Sequence, residues 1–105
     1  MAQVVTGVAT FRHDEAWEGR DLGQVGSSHA VLLYADKPYH WHENKQDELF
    51  CVLDGTVDMD LRDGIDGAER RVILERGDMA LIRKGEEHVA HPRGEARILI
   101  VAGGI

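Results

Sequence analysis

Two histidines and a glutamate lie close together in this 105-residue chain, and a third histidine follows much later. On a β-strand, His40 and His42 would project to the same face, because side chains alternate with a period of two. Glu48 and His88 could complete a pocket of three imidazole nitrogens and one carboxylate. Such a set suits a divalent transition metal and leaves coordination positions for water or a substrate. The pattern therefore indicates metal chemistry without naming a reaction.

Short apolar segments separated by glycine must position these residues. Glycine-containing pairs such as Asp54-Gly55 and Asp63-Gly64 favour tight turns, because glycine adopts positive φ at little cost. Many short strands at this spacing predict an all-β barrel or sandwich. A helical turn is expected over 14–19 and a loop over 23–28. The predicted strands cover residues 4–11, 30–35, 39–42, 49–53, 57–62, 71–74, 79–82 and 96–102.

The strand over residues 49–53 is apolar on both faces. If Glu48 points inward, the outward row consists of Leu49, Cys51 and Leu53, and an outward apolar row needs a cover. That cover is either the N-terminal segment or a second subunit related by a two-fold axis. Of these alternatives we predict a homodimer.

Composition limits the classes of partner. The formal net charge of -7 disfavours nucleic acid and anionic membrane surfaces, because both are bound mainly through Lys and Arg. No apolar run approaches the roughly 20 residues of a membrane helix, and the N-terminus has no signal-peptide pattern. Cys51 is the single cysteine, so no disulfide within the chain is expected. These features predict a cytoplasmic protein whose partner is a small molecule.

The order and spacing of the first group of residues resemble the cupin superfamily. Its first motif runs from a glycine through His-x-His to a glutamate and a second glycine. Here His40-Trp41-His42 is followed by five residues, Glu48, six residues and Gly55. The interval from histidine to glutamate is one residue longer than the family pattern, and Tyr34 stands at the opening glycine. The segment from His40 to Gly55 is most similar to small single-domain cupins of the sugar-phosphate-isomerase-like type.

The second motif of the family is also present in outline. It runs from a glycine through a proline and a second glycine to a histidine and an asparagine. Here the corresponding residues are Gly77, Arg83, Gly85, His88 and Pro92. Arg83 replaces the proline and Pro92 replaces the asparagine, but neither departure removes a metal ligand.

The resemblance implies a double-stranded β-helix (jelly-roll) cupin barrel. The whole chain, 1–105, would form one domain, with an N-terminal strand and loop segment over 1–29 and the core barrel over 30–102. By the same resemblance His40, His42, Glu48 and His88 would bind one divalent ion: Fe, Mn, Ni, Co, Cu or Zn. On a strand that continues from His88, His91 would face the other way, so it is at most an accessory residue.

Two functions follow from the resemblance. The first is a metal-dependent enzyme of the dioxygenase or isomerase type, acting on a small molecule in the barrel cavity. The alternative is a non-catalytic small-molecule or metal-binding module, such as a sensor. No general base beyond the ligands stands out in the sequence, so the residues alone select no reaction class.

Overall fold

The computed structural model describes residues 1–103, which form nine β-strands and one short 3₁₀ helix. No helix among them is long and apolar enough to span a membrane. The 3₁₀ helix is Val8–Thr10, and the strands are β1 (Glu18–Val25), β2 (Ser28–Ala35), β3 (His42–Glu43), β4 (Glu48–Asp54), β5 (Val57–Arg62), β6 (Glu69–Leu74), β7 (Met79–Ile82), β8 (Glu87–Pro92) and β9 (Ala96–Ala102).

The strands form two antiparallel sheets that enclose the core. One sheet has the order β1-β2-β9-β4-β7, and the other has the order β3-β8-β5-β6. Phe50 and Ile98 from the first sheet meet Val57 and Met59 from the second, and all four are buried. In β5, buried residues alternate with half-buried polar ones, as the sequence pattern predicted. The all-β, jelly-roll prediction is confirmed.

The turn between β4 and β5 requires glycine at position 55. Gly55 has a φ of 87°, a left-handed conformation that side chains disfavour. A Cβ atom on it would lie 2.5 Å from the carbonyl oxygen of Glu95. The motif glycine therefore allows the β4–β5 turn to pack directly against the backbone that leads into β9.

The N-terminal region differs from the sequence-based expectation. The strand predicted over 4–11 is wrong, because Gly7 takes a φ of 68° and the chain then enters the 3₁₀ helix. The helical turn over 14–19 is also wrong, because residues 14–17 form non-helical bends and turns and β1 begins at Glu18. The loop over 23–28 is wrong because β1 continues to Val25 and β2 begins at Ser28. β1 is largely exposed and polar, so it lacks the apolar alternation that identifies a half-buried strand.

Two further strand bounds differ from prediction. The strand expected over 39–42 is limited to His42–Glu43, and it follows a segment that contains Pro38. The apolar pattern predicts no strand over 87–92, although His88 is expected on a strand. β8 escapes this pattern because it contains the polar residues Glu87, His88 and His91.

The outer face of the five-stranded sheet is partly covered by the N-terminal segment. The 3₁₀ helix contacts β4, and the guanidinium of Arg97 donates a 2.7 Å hydrogen bond to the carbonyl oxygen of Phe11. Cys51 is buried on this face. The N-terminal segment therefore covers part of the outward apolar row of β4, which was one of the two alternatives predicted from the sequence. Met79 and Leu81, on the outer face of edge strand β7, stay more than half exposed.

Candidate metal centre

Three of the four residues expected to bind metal line one cavity: His42, Glu48 and His88. His42 on β3 is the direct register partner of His88 on β8, and their ring centroids lie 4.1 Å apart. Glu48 is the first residue of β4 in the facing sheet, and its Oε1 lies 3.7 Å from Nε2 of His88. The facing sheets thus contribute two imidazoles and one carboxylate to the same space.

His40, the fourth expected ligand, lies outside this group. It precedes β3, is exposed, and stacks its ring on Tyr39 at a centroid distance of 4.0 Å. Its ring centroid is 5.9 Å from that of His42, and it does not line the cavity. The argument from alternation needed a strand through both histidines, and β3 begins only at His42. Coordination by His40 stays a prediction.

Burial controls the protonation of the histidine and the carboxylate. His88 is 2% exposed, and burial, assisted by the nearby His42, lowers its pKa to about 4. His88 is therefore neutral at pH 7. Burial raises the pKa of Glu48, because its charged form is poorly solvated. The 3.7 Å separation between the two groups is too long for a hydrogen bond. Neither group therefore satisfies the hydrogen-bonding capacity of the other.

The chemistry of these donors fits a transition-metal ion. Nδ1 of His88 is buried and has no hydrogen-bond partner among the described residues. Nδ1 of His42 lies 3.1 Å from the carbonyl oxygen of His40; a proton donated there leaves Nε2 available to a metal. A cation would also compensate for the burial of the Glu48 carboxylate. In residues 1–103, however, no three His, Cys, Asp or Glu side chains are already grouped at metal-holding distances.

The cavity beside these donors has a volume of about 200 Å³ and mostly apolar walls. Besides the three donors, it is lined by Trp17, Val31, Leu33, Tyr39, Phe50, Ala90 and Ile100. A neighbouring depression of about 210 Å³ shares His42 and Glu48, but its remaining lining is mainly polar. Sequence reasoning missed Trp17, which was assigned to a helical turn; nothing in the sequence links it to residues so far along the chain.

Residues near the motifs have other roles. Nε2 of His91 lies 3.0 Å from Asp60 Oδ2, and His91 is not among the cavity-lining residues, as its opposite parity to His88 predicted. Trp41 lies under the guanidinium of Arg62 at 3.8 Å. The backbone N–H of Arg83 donates a 2.6 Å hydrogen bond to Glu86 within the turn that precedes β8. The Arg83 side chain extends toward Asp47 and thus ties this turn to the segment before β4.

Comparison with known proteins gives the family and the fold. A family model described as a cupin domain matches residues 34–102. A cupin-2 domain-containing protein from Shewanella frigidimarina is 27% identical with a TM-score of 0.74, covering 87% of this chain and 84% of that one. No curated protein matches the chain.

Two enzymes of lower identity share the fold. Hydroquinone 1,2-dioxygenase from Sphingomonas sp. TTNP3 is 23% identical with a TM-score of 0.78, covering 90% of this chain and 29% of that one. Hydroxypropylphosphonic acid epoxidase from S. wedmorenis is 15% identical with a TM-score of 0.61, covering 72% of this chain and 43% of that one. At these identities the likeness establishes the architecture alone.

Proposed function

Because the chain belongs to the cupin domain family, we propose that it binds one divalent transition-metal ion and acts as a metal-dependent enzyme on a small molecule in its cavity. The ligands are His42, Glu48 and His88, with His40 as the fourth. The observation that carries the proposal is the convergence of these first three side chains on one cavity, where Nε2 of the buried His88 lies 3.7 Å from Oε1 of Glu48.

The residues around the proposed ion would have different roles. The ion itself would supply Lewis acidity, which polarises an oxygen atom of the bound molecule. His88 stays neutral at pH 7, so its lone pair is available as a ligand. Burial raises the pKa of Glu48, so without a cation beside it this carboxyl group could hold a proton next to the bound molecule; with the ion bound it would be the anionic ligand. Phe50 and Ala90, both 2% exposed, keep the inner wall dry.

Two fold neighbours are named as a dioxygenase and an epoxidase, so the fold is compatible with a metal-dependent enzyme; within that class we propose the dioxygenase or isomerase type. One observation favours the alternative of a non-catalytic binding or sensor module. Among the described residues, Tyr39 is the single titratable side chain that lines the cavity besides the three donors. An enzyme here would have to take its acid–base chemistry from Glu48 or Tyr39.

Metal binding is tested with a matched pair of histidines on β8. His88→Ala should lower metal affinity by at least about tenfold, because it removes a ligand. His91→Ala, on the same strand but outside the cavity, should leave the affinity unchanged. The affinity of each variant is measured by titration with Zn²⁺ and Mn²⁺, with circular dichroism as a control for folding. Equal affinities for wild type and His88→Ala would refute the metal site.

Catalysis is tested separately once the metal is established. Protein loaded with iron, manganese or nickel is incubated with a panel of diketones, thiols and phenols, while oxygen uptake and product formation are followed. Turnover that is lost in His88→Ala supports the enzyme. Metal-loaded protein that binds a member of the panel without converting it supports the sensor module instead.

We also propose that the protein forms a homodimer in the cytoplasm. An apolar row crosses four strands in register, from Leu32 through Leu99 and Cys51 to Met79, and its last member is 57% exposed. Leu81 adds a second exposed apolar side chain to the same edge. A second subunit would remove these side chains from water. The single, buried and unpaired Cys51 is compatible with a reducing compartment.

A further inference from the structure

Two aromatic side chains from different segments lie side by side in the cavity lining, and Tyr39 is its most exposed residue, so we take this side as the opening. The rings of Trp17 and Tyr39 lie 5.5 Å apart at an interplanar angle of 60°, and Tyr39 is 40% exposed. Both residues line the cavity. Flat, polarisable surfaces at an opening favour flat ligands, because aromatic faces and edges interact at these separations.

Trp17 is held in place at its backbone and at its ring. Its N–H donates a 2.7 Å hydrogen bond to the carbonyl oxygen of Tyr34, and its indole Nε1 donates one of the same length to Lys37. Among the described residues it is the only non-glycine residue with a positive φ, at 64°. A bulky residue in this conformation persists only where its surroundings enforce it, and such positions cluster at ligand clamps.

The walls behind this opening are apolar and carry no cation. Val31 and Leu33 of β2, Phe50 of β4 and Ile100 of β9 form one side, and Ala90 of β8 lies on the other. Among the described residues, no Lys or Arg lines the cavity, and the only carboxylate in it is that of Glu48. A charged group placed against these walls would lose its hydration without gaining a partner.

From this lining we propose that the ligand is an uncharged, planar, ring-sized molecule whose polar atoms are confined to one end. The polar end faces His42, Glu48 and His88, and in this respect the inference rests on the proposed function. The ring lies between Phe50 and the Trp17–Tyr39 opening. The volume suits one substituted ring, since a dry apolar cavity of about 150 Å³ accepts benzene. A sugar phosphate is not the expected ligand, because among the described residues no Lys or Arg lines the cavity to pair with a phosphate away from the proposed ion.

The chain contains two tryptophans, which allows ligand binding to be located by fluorescence. Trp41→Phe leaves Trp17 as the single reporter at the cavity, and Trp17→Phe leaves Trp41 as the reporter under Arg62, away from it. The probes are 4-methylcatechol and 3,4-dihydroxybenzoate, which share the same pair of hydroxyl groups but differ in charge at the opposite end. Glucose 6-phosphate is the third probe. Each is titrated into zinc-loaded and metal-free protein, with calorimetry in parallel.

The expected result is saturable quenching by 4-methylcatechol in Trp41→Phe and no saturable change in Trp17→Phe. The affinity for 3,4-dihydroxybenzoate should be lower by at least about tenfold, because its carboxylate meets apolar walls. Glucose 6-phosphate should not bind. Calorimetry on Trp17→Ala should show weaker binding of 4-methylcatechol with unchanged affinity for zinc.

Failure of this inference is distinguishable from failure of the proposed metal function. Protein that binds zinc but binds the two catechols equally, or binds glucose 6-phosphate, refutes the ligand class alone. If the protein does not bind zinc but 4-methylcatechol still quenches Trp17 fluorescence, the proposed metal site is refuted and the ligand class is supported. Binding by calorimetry without a response from Trp17 refutes the cavity as the ligand's location.

Discussion

Metal-free protein should lose stability between pH 7.5 and pH 5 through a single buried imidazole. His88 is 2% exposed, and its pKa is lowered from 6.5 to about 4 by burial and by His42. In the unfolded chain the ordinary pKa of 6.5 returns. Between these two pKa values, the His88 imidazole is therefore protonated in the unfolded state but neutral in the folded state.

The sign and the size follow from this difference. Because the pKa is lower in the folded state, the contribution of His88 is fully present above pH 6.5 and is lost as the pH falls toward 4. The complete loss is on the order of 3 kcal/mol, and about 2 kcal/mol of it occurs by pH 5. This is a large part of the 5 to 15 kcal/mol, roughly, that stabilises a typical domain.

Other groups titrate differently and can be separated. Glu48 has a raised pKa, so its protonation favours the folded state as the pH falls and partly offsets the loss at His88. The carboxyl groups paired with arginine, such as Asp58 and Asp60, have lowered pKa values. Their contribution is lost only below the ordinary value of 3.8, outside the window assigned to His88.

The assay is urea unfolding of metal-free protein at pH 7.5, 6 and 5, with Glu48→Gln as the background. In this background, the free energy of unfolding should fall by about 2 kcal/mol when His88 is present. His88→Gln should abolish the fall, whereas His91→Gln, on the outer side of the same strand, should retain it. A fall of equal size with and without His88 would show that the reasoning from burial is wrong.

Two further predictions concern the fold and the assembly. Gly55→Ala should cost at least about 2 kcal/mol more than Gly77→Ala in urea unfolding. Both glycines have φ near 90°, but a Cβ at Gly55 would meet the Glu95 carbonyl oxygen, whereas at Gly77 nothing lies within 4 Å; equal costs would contradict the assigned contact. Leu81→Glu on the exposed face of β7 should convert the proposed dimer to monomer in sedimentation velocity, and Ile65→Glu, in an exposed turn, should not. A monomeric wild type would refute the dimer.

Much of the fold could be predicted from the sequence, because most strands bury one face. In β5 the alternation of Val57, Met59 and Leu61 with charged residues predicts the observed pleat. β1 could not be found in this way, since it is a largely exposed edge strand with polar residues on both faces. The segment over 4–11 has an apolar composition typical of a strand, but the left-handed conformation of Gly7 interrupts it.

The same distinction applies to the site. His42, Glu48 and His88 are associated through the resemblance to the two cupin motifs, and the structure places each of them in or at the start of a strand with a buried residue two positions along. For Glu48 that neighbour is Phe50, and for His88 it is Ala90. His40 has no such neighbour, since it precedes β3 and leans on Tyr39 instead. Trp17 reaches the cavity through an unusual backbone angle that no residue pattern encodes.

The division of donors between the sheets has a consequence for specificity. His42 and His88 are adjacent register partners in one sheet, so their separation is set by backbone pairing. Glu48 belongs to the other sheet, so its distance from them depends on the apolar side chains packed between the sheets, Phe50 among them. Substitutions of Phe50 should therefore change the ligand and the geometry of the carboxylate together, whereas substitutions of Trp17 should change the ligand alone. Substitutions that change ligand preference without loss of metal are thus expected at Trp17 rather than at Phe50.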